Sequence, residues 1–206
     1  MQTALSHSAA CPSEAEPRLR AYAALLLRWT QKINLVSRGD ESQLWERHVR
    51  DCLRLAPFIP SGTDRAIDLG SGAGLPGLVL AVATGIRFEL VEADRRKAAF
   101  LQEAIRVTAA PAAVHCARIE ALGLAGDLAP AGLVTARALA PLPALLALAA
   151  PLLAPGGTML FFKGGRANDE VKAAQRDWRF GLRTVGTLES PILCITDPVR
   201  KDGARG

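Results

Sequence analysis

Ala66-Ile67-Asp68-Leu69-Gly70-Ser71-Gly72-Ala73-Gly74-Leu75-Pro76-Gly77 carries the strongest local pattern in the chain. Its apolar opening, residues 66–69, has the length and the boundaries of a buried strand. That strand ends in a loop whose glycines can take positive φ and let a ligand touch the backbone, and Pro76 is pre-set for the first turn of a following helix. Strand, glycine loop and helix in this order make a cradle for a nucleotide-like cofactor. Glu92 closes the next apolar run, where a carboxylate can accept both hydroxyls of a ribose. Two cofactor classes share this pattern. Gly72 to Gly77 satisfies the dinucleotide fingerprint, with Glu92 at about the 20-residue offset that goes with it. Asp68, two positions before the first glycine, and the Gly-x-Gly-x-Gly run from Gly70 favour S-adenosylmethionine, a sulfonium nucleoside with no pyrophosphate to hold. The loop alone leaves a nicotinamide oxidoreductase and a cofactor-free fold standing.

Outward from the loop, short apolar runs at 66–69, 88–92, 113–116, 133–136 and 158–162 alternate with helical stretches near 77–83, 95–107, 142–153 and 169–178. Alternation of this kind implies a mostly parallel sheet between two layers of helices. Two last runs, 182–188 and 191–196, are parted by Glu189 and Ser190 alone. That is too short for a crossover helix, so the pair is expected to be antiparallel. The predicted fold is a doubly wound α/β domain with a mostly parallel seven-stranded sheet and an antiparallel last strand. Methyltransferases that use S-adenosylmethionine have such an ending and most nicotinamide-binding domains lack it.

Residues 1–16 are small, polar and proline-punctuated, and are expected to be flexible. Residues 17–62 read as a helical extension and 63–206 as the catalytic domain. Leu19, Tyr22, Ala23, Leu26, Leu27 and Ile33 recur at helical spacing beside Arg18, Arg20, Arg28 and Lys32. A second helical region, 41–55, places Arg47 and Asp51 four apart, where they can pair.

With 206 residues, half of them hydrophobic, and a mean hydropathy of +0.17, the chain can bury a full core without a metal or a disulfide. A net charge of +5 and a pI near 9.4 favour a polyanionic partner. Cys11, Cys52, Cys116 and Cys194 show no metal-ligand spacing, so reduced thiols in a cytoplasm and no metal site are expected. No apolar leader follows the N-terminus, and the apolar stretch 141–155 is shorter than the ~20 residues of a membrane span. No membrane association is expected, and nothing demands a dimer, so a monomer is expected.

The chain closely resembles the RsmG (GidB) family of bacterial 16S ribosomal RNA guanine-N7 methyltransferases. The likeness runs from about 29 to 164 through ordered motifs: WTQKINLV (29–36), RHVRDCL (47–53), DLGSGAGLPG (68–77), EADRRKAAFL (92–101), RIE (118–120), TARALAP (135–141) and PGGTMLFFKG (155–164). This resemblance implies cofactor contacts at Gly70, Leu75, Ile119, Glu120 and Arg137, which join Gly72, Gly74 and Glu92 of the loop reading. It also implies 16S rRNA or the small ribosomal subunit as substrate. Guanine N7 carries a lone pair and no proton, so alignment and exclusion of water suffice and no catalytic acid or base is assigned. The chain has no Asn-Pro-Pro-Tyr run for an exocyclic amine and no Pro-Cys for attack on a pyrimidine. Arg95, Arg96 and Lys97, opening a helix, and Lys163 and Arg166, after the fifth strand, are candidates for phosphate contact. Asn34 and His48 are candidates for a place near the target base. A small-molecule methyltransferase is the alternative, since the cofactor loop alone would serve it.

Overall fold

Seven strands form one sheet in the computed structural model, which describes residues 11–37, 43–125, 128–187 and 189–201. Residues 1–10 of the expected flexible terminus, 41–42 at the start of the second helix, and 188 at the end of the sixth apolar run lie outside the described residues. The strands are β1 (Arg65–Leu69), β2 (Arg87–Val91), β3 (Ala112–His115), β4 (Ala131–Arg137), β5 (Leu153–Phe162), β6 (Trp178–Gly186) and β7 (Pro191–Arg200). Their spatial order is β3-β2-β1-β4-β5-β7-β6. The first five run parallel, while β7 lies antiparallel to both β5 and β6. The last two runs form the expected antiparallel pair, parted by four positions between Gly186 and Pro191 where two were foreseen, with β7 inserted between β5 and the edge strand β6.

Side chains alternate across the sheet with period two and so divide the core into two layers. Ala66, Phe88, Leu90, Leu133, Leu160 and Phe162 face one layer. Ile67, Leu69, Val91, Val134, Met159 and Phe161 face the other. Helices α3 (Gly77–Thr84) and α4 (Arg95–Thr108) cover the first face; α5 (Ile119–Ala125), α6 (Leu142–Ala149) and α7 (Ala167–Asp177) cover the second. Helix α5 is absent from the sequence-based expectation, because seven residues interrupted by Gly123 show no clear period. The helix expected over 142–153 gives way after Ala149 to a 3-10 turn, Ala150–Leu152, at Pro151, which cannot donate an α-helical hydrogen bond.

The N-terminal helix α1 (Glu16–Thr30) buries Leu19, Tyr22, Leu25 and Leu26 in the same layer as Leu78, Phe100 and Leu101. It is stitched to α4 by Trp29 Nε1, which donates to Glu103 Oε2 at 3.0 Å, and by Arg18, which donates to the carbonyls of Thr108 and Ala109 at 2.7 and 2.8 Å. After it comes a π-helical segment, Trp45–Arg50, running into the short helix α2 (Asp51–Leu53). Val49, Cys52 and Leu53 join the first layer too, so the extension and the sheet share one core.

Candidate cofactor and substrate site

The strand order reverses between β1 and β4, and open α/β sheets place ligands in the crevice at such a point, beyond the carboxyl ends of the strands. The loop after β1 and, opposite it, Arg137 at the end of β4 with residues 138–140 after it form its two walls. Gly70 sits at φ +63°, and a Cβ there would lie 2.6 Å from Leu139 Cδ1, so the two walls touch only because this residue has no side chain. At the far end of the loop, a Cβ on Gly77 would lie 2.5 Å from Asp68 Cβ, so α3 starts directly against β1.

Asp68 is fully buried, and Thr135 Oγ1 of β4 donates to its Oδ1 at 2.6 Å. Burial pushes its carboxyl up to about 6, against hydrogen bonding from Thr135, Ser71 and the Gly77 amide. Its role is to tie β1, β4 and the helix start together under the loop. Glu92 spans the mouth of the crevice. Its Oε2 accepts from the Gly72 amide at 2.9 Å and its Oε1 from the Asp94 amide at 2.8 Å, which leaves each oxygen a further lone pair. Tyr22 reaches in from α1, its buried hydroxyl donating to the Ala73 carbonyl at 2.6 Å.

Two cavities meet here. The first, about 440 Å³, is lined by Gly70, Gly72, Glu92, Ile119 and Glu120, with Leu139 and Leu148 as apolar walls. The second, about 510 Å³, is lined by Gly70, Gly72, Leu75 and Arg137 together with Asn34 and His48. Gly70, Gly72 and Ala138 border both. Of the residues singled out from the sequence, Gly74 lines neither; a Cβ there would lie 2.9 Å from Leu78 Cβ, so it serves close packing of loop on helix.

The basic candidates divide. Arg95 is exposed on the first turn of α4. Arg96 and Lys97 border a third cavity with Lys32 and Asn34, and Arg96 Nη2 donates to the Lys32 carbonyl at 3.0 Å. The start of α4 is capped by Asp94, which accepts from the Arg96 and Lys97 amides at 2.7 and 3.1 Å. Those backbone hydrogen bonds, Lys97's first, hold its carboxyl below the usual range. Lys163, also a candidate for RNA contact, points inward. Its side chain is 7% exposed, and Nζ donates to the Ala140 carbonyl at 2.7 Å and pairs with Glu170 Oε2 at 2.8 Å. A nearly buried ammonium needs such partners, and they turn it inward.

Sequence reading missed four contributors to this site: Tyr22 as an anchor of the loop, Asp51 beside Arg137, and Ala138 and Leu139 in the wall. Ala138 adopts φ +52°, a left-handed conformation that costs a non-glycine residue about 1 kcal/mol. Nothing in an alanine-rich stretch announces it. The described partners of Asp51 are Arg54 and Arg137, and the π-helical winding before it alters the spacing on which a pairing with Arg47 was expected. Among the described residues, no group of three or more metal-ligating side chains is assembled and no helix is long and apolar enough to cross a membrane.

Residues 15–190 match a family model described as GidB, rRNA small subunit methyltransferase G. A protein of Acidiphilium cryptum named ribosomal RNA small subunit methyltransferase G is 56% identical, over 78% of this chain and 74% of its own length. One of the same name from Granulibacter bethesdensis is 47% identical, over 95% of this chain and 90% of its own. Among solved structures, a TehB-like SAM-dependent methyltransferase from Corynebacterium glutamicum superposes with a TM-score of 0.59 at 14% identity, over 84% of this chain and 98% of that one, a likeness of fold. Matched along most of its length, the chain belongs to the rRNA small subunit methyltransferase G (GidB) family.

Proposed function

We propose that this protein transfers a methyl group from S-adenosylmethionine to N7 of a guanine in 16S ribosomal RNA. One observation carries the reading: in a chain of this family, two cavities share Gly70, Gly72 and Ala138, so a cofactor in one and a nucleobase in the other would meet across the glycine loop. The residues present suit the cofactor. Glu92 offers two oriented carboxylate oxygens to a ribose, and Ile119, Leu139 and Leu148 offer apolar surface to an adenine. Glu120 borders the same space, and Arg137, next to Ala138, brings the cation that an amino-acid carboxylate requires. When bound, S-adenosylmethionine supplies an electrophilic methyl group on a sulfonium.

The chain's own work is to bind and align. Asn34, His48 and Leu75 border the space assigned to the base, and the glycine loop, held by Tyr22 and Glu92, fixes its distance from the cofactor. Because N7 presents a lone pair, no side chain has a proton to remove, and rate comes from orientation and exclusion of water. Residues 17–62 act as an extension that completes the base cavity, and 63–206 as the catalytic unit. Lys97 at the edge of the cofactor cavity, Arg96 with it at the third cavity, and exposed Arg95 supply positive charge for the phosphates of a ribosomal RNA or a small-subunit particle. Such a substrate implies work in the cytoplasm, without a metal, and we assign the activity to the monomer.

The test is transfer of labelled methyl from S-adenosylmethionine to 16S RNA or 30S particles lacking the modification, followed by nucleoside mass spectrometry. Label in 7-methylguanosine is expected. Label entering small metabolites of a cell extract and not RNA would replace this reading with a small-molecule methyltransferase.

A further inference from the structure

Arg137 emerges from the end of β4 with its guanidinium carbon 5.3 Å from the ring centre of Phe162 of β5, and its polar contacts come from the N-terminal extension. Its Nη1 lies 3.4 Å from Asp51 Oδ2 and 3.6 Å from Cys52 Sγ. Its Nη2 lies 3.4 Å from the Arg47 carbonyl and 3.3 Å from His48 Nδ1. Every one of these contacts is long, and Asp51 is the one carboxylate among them. Asp51 is in turn fixed: Arg54 Nη1 donates to its Oδ1 at 2.5 Å, and Arg54 Nη2 donates to the Ser190 carbonyl at 3.1 Å in the β6–β7 turn. Both members of the pair are mostly buried, with side chains 23% and 17% exposed, so the charge of Asp51 is poorly screened at Arg137.

We infer that Asp51 is a positioning residue: through Arg137 it sets the cation in the wall of the second cavity, next to Ala138, which borders both, and the Arg54–Ser190 contact holds Asp51 in place. The inference rests on the cofactor reading above. It makes residues 47–54 part of the working site, since neutral contacts at 3.3–3.6 Å and the face of the Phe162 ring orient the guanidinium less strictly than a carboxylate does.

The experiment is a double-mutant cycle on the full chain, with S-adenosylhomocysteine affinity by calorimetry as readout and thermal denaturation as the folding control. Arg137→Ala is expected to weaken binding about tenfold, as loss of a charge-assisted contact does. Asp51→Asn, close to isosteric, is expected to weaken it about threefold or more, and to have almost no further effect on top of Arg137→Ala, because a residue acting through another is not additive with it. If Asp51→Asn does not fold, Arg54→Gln, which leaves the carboxylate but releases it, should show the same loss and the same masking. An Arg137→Ala variant with unaltered affinity overturns the cofactor reading at Arg137 and this inference with it. A weakened Arg137→Ala beside an unaffected Asp51→Asn overturns this inference alone, and so does an Asp51→Asn effect that persists in full without Arg137.

Discussion

Replacing Tyr22 by Phe removes one oxygen atom from the whole molecule, yet it should loosen the cofactor loop from a helix 51 positions away in sequence. Tyr22 is fully buried, and its hydroxyl donates to the carbonyl of Ala73, itself only 5% exposed. The ring keeps its packing on Phe100, with centroids 6.3 Å apart, so the change isolates the hydrogen bond. A buried carbonyl left without its donor costs about 1–2 kcal/mol. In a chain of this size that lowers Tm by about 2–8 °C. If the bond also holds the 71–75 loop in its binding conformation, ligand must restore that order, and S-adenosylhomocysteine affinity falls by up to the same free energy, about 5- to 30-fold. Thermal denaturation and calorimetric titration of the same preparation read both quantities. A lowered Tm with affinity within about twofold of the parent would refute the coupling of α1 to the loop, though not the packing of the helix.

Gly70→Ala places a Cβ 2.6 Å from Leu139 Cδ1 at φ +63°, so it should abolish cofactor binding by calorimetry, whereas the pair Gly70→Ala with Leu139→Ala should recover part of it. Stability should respond to pH through two buried carboxyls in opposite senses. Asp68, whose carboxyl rises from 3.8 to about 6 on folding, adds stability below pH 3.8 that is lost as pH climbs through 6. Asp68→Asn should flatten that part of a urea-denaturation profile, worth about 3 kcal/mol. Burial tends to raise Glu89, but hydrogen bonds from His115 and Arg65 outweigh it and hold the carboxyl below 4.5, so its stability is present above pH 4.5 and lost as pH falls further. Glu89→Gln should therefore blunt acid sensitivity below pH 4.5 and leave the Asp68 window intact. Arg95→Ala should weaken binding to 16S RNA a few-fold and lower the slope of its salt dependence by about 1, with S-adenosylhomocysteine affinity unaltered.

The loop from Gly70 to Gly77 and the strands around it were legible because they obey local rules. A buried parallel strand is an apolar run, a tight turn at positive φ is a glycine, and Glu92 follows directly on the end of a strand. Helix limits were less so. The 142–149 helix reads as longer than it is because the apolar pattern continues through Pro151 into a strand, and α5 is too short to show a period. Lys163 illustrates the limit at the level of a single side chain. A lysine after a strand end looks like a phosphate ligand until Glu170 and the Ala140 carbonyl, 7 and 23 residues away, are seen to hold it.

By themselves, the residues of this chain determined the class of fold and the kinship of the protein, since strands and glycine turns are written in near neighbours and the family motifs recur in order along the chain. Long-range packing alone selects the distant groups around the loop: Leu139 against Gly70, Tyr22 on Ala73, and Asp51 beside Arg137. Those contacts join segments 51 to 86 residues apart. A pairing at such a range leaves no periodicity or spacing in the chain, because it arises from the way three separate elements pack against the carboxyl ends of β1 and β4.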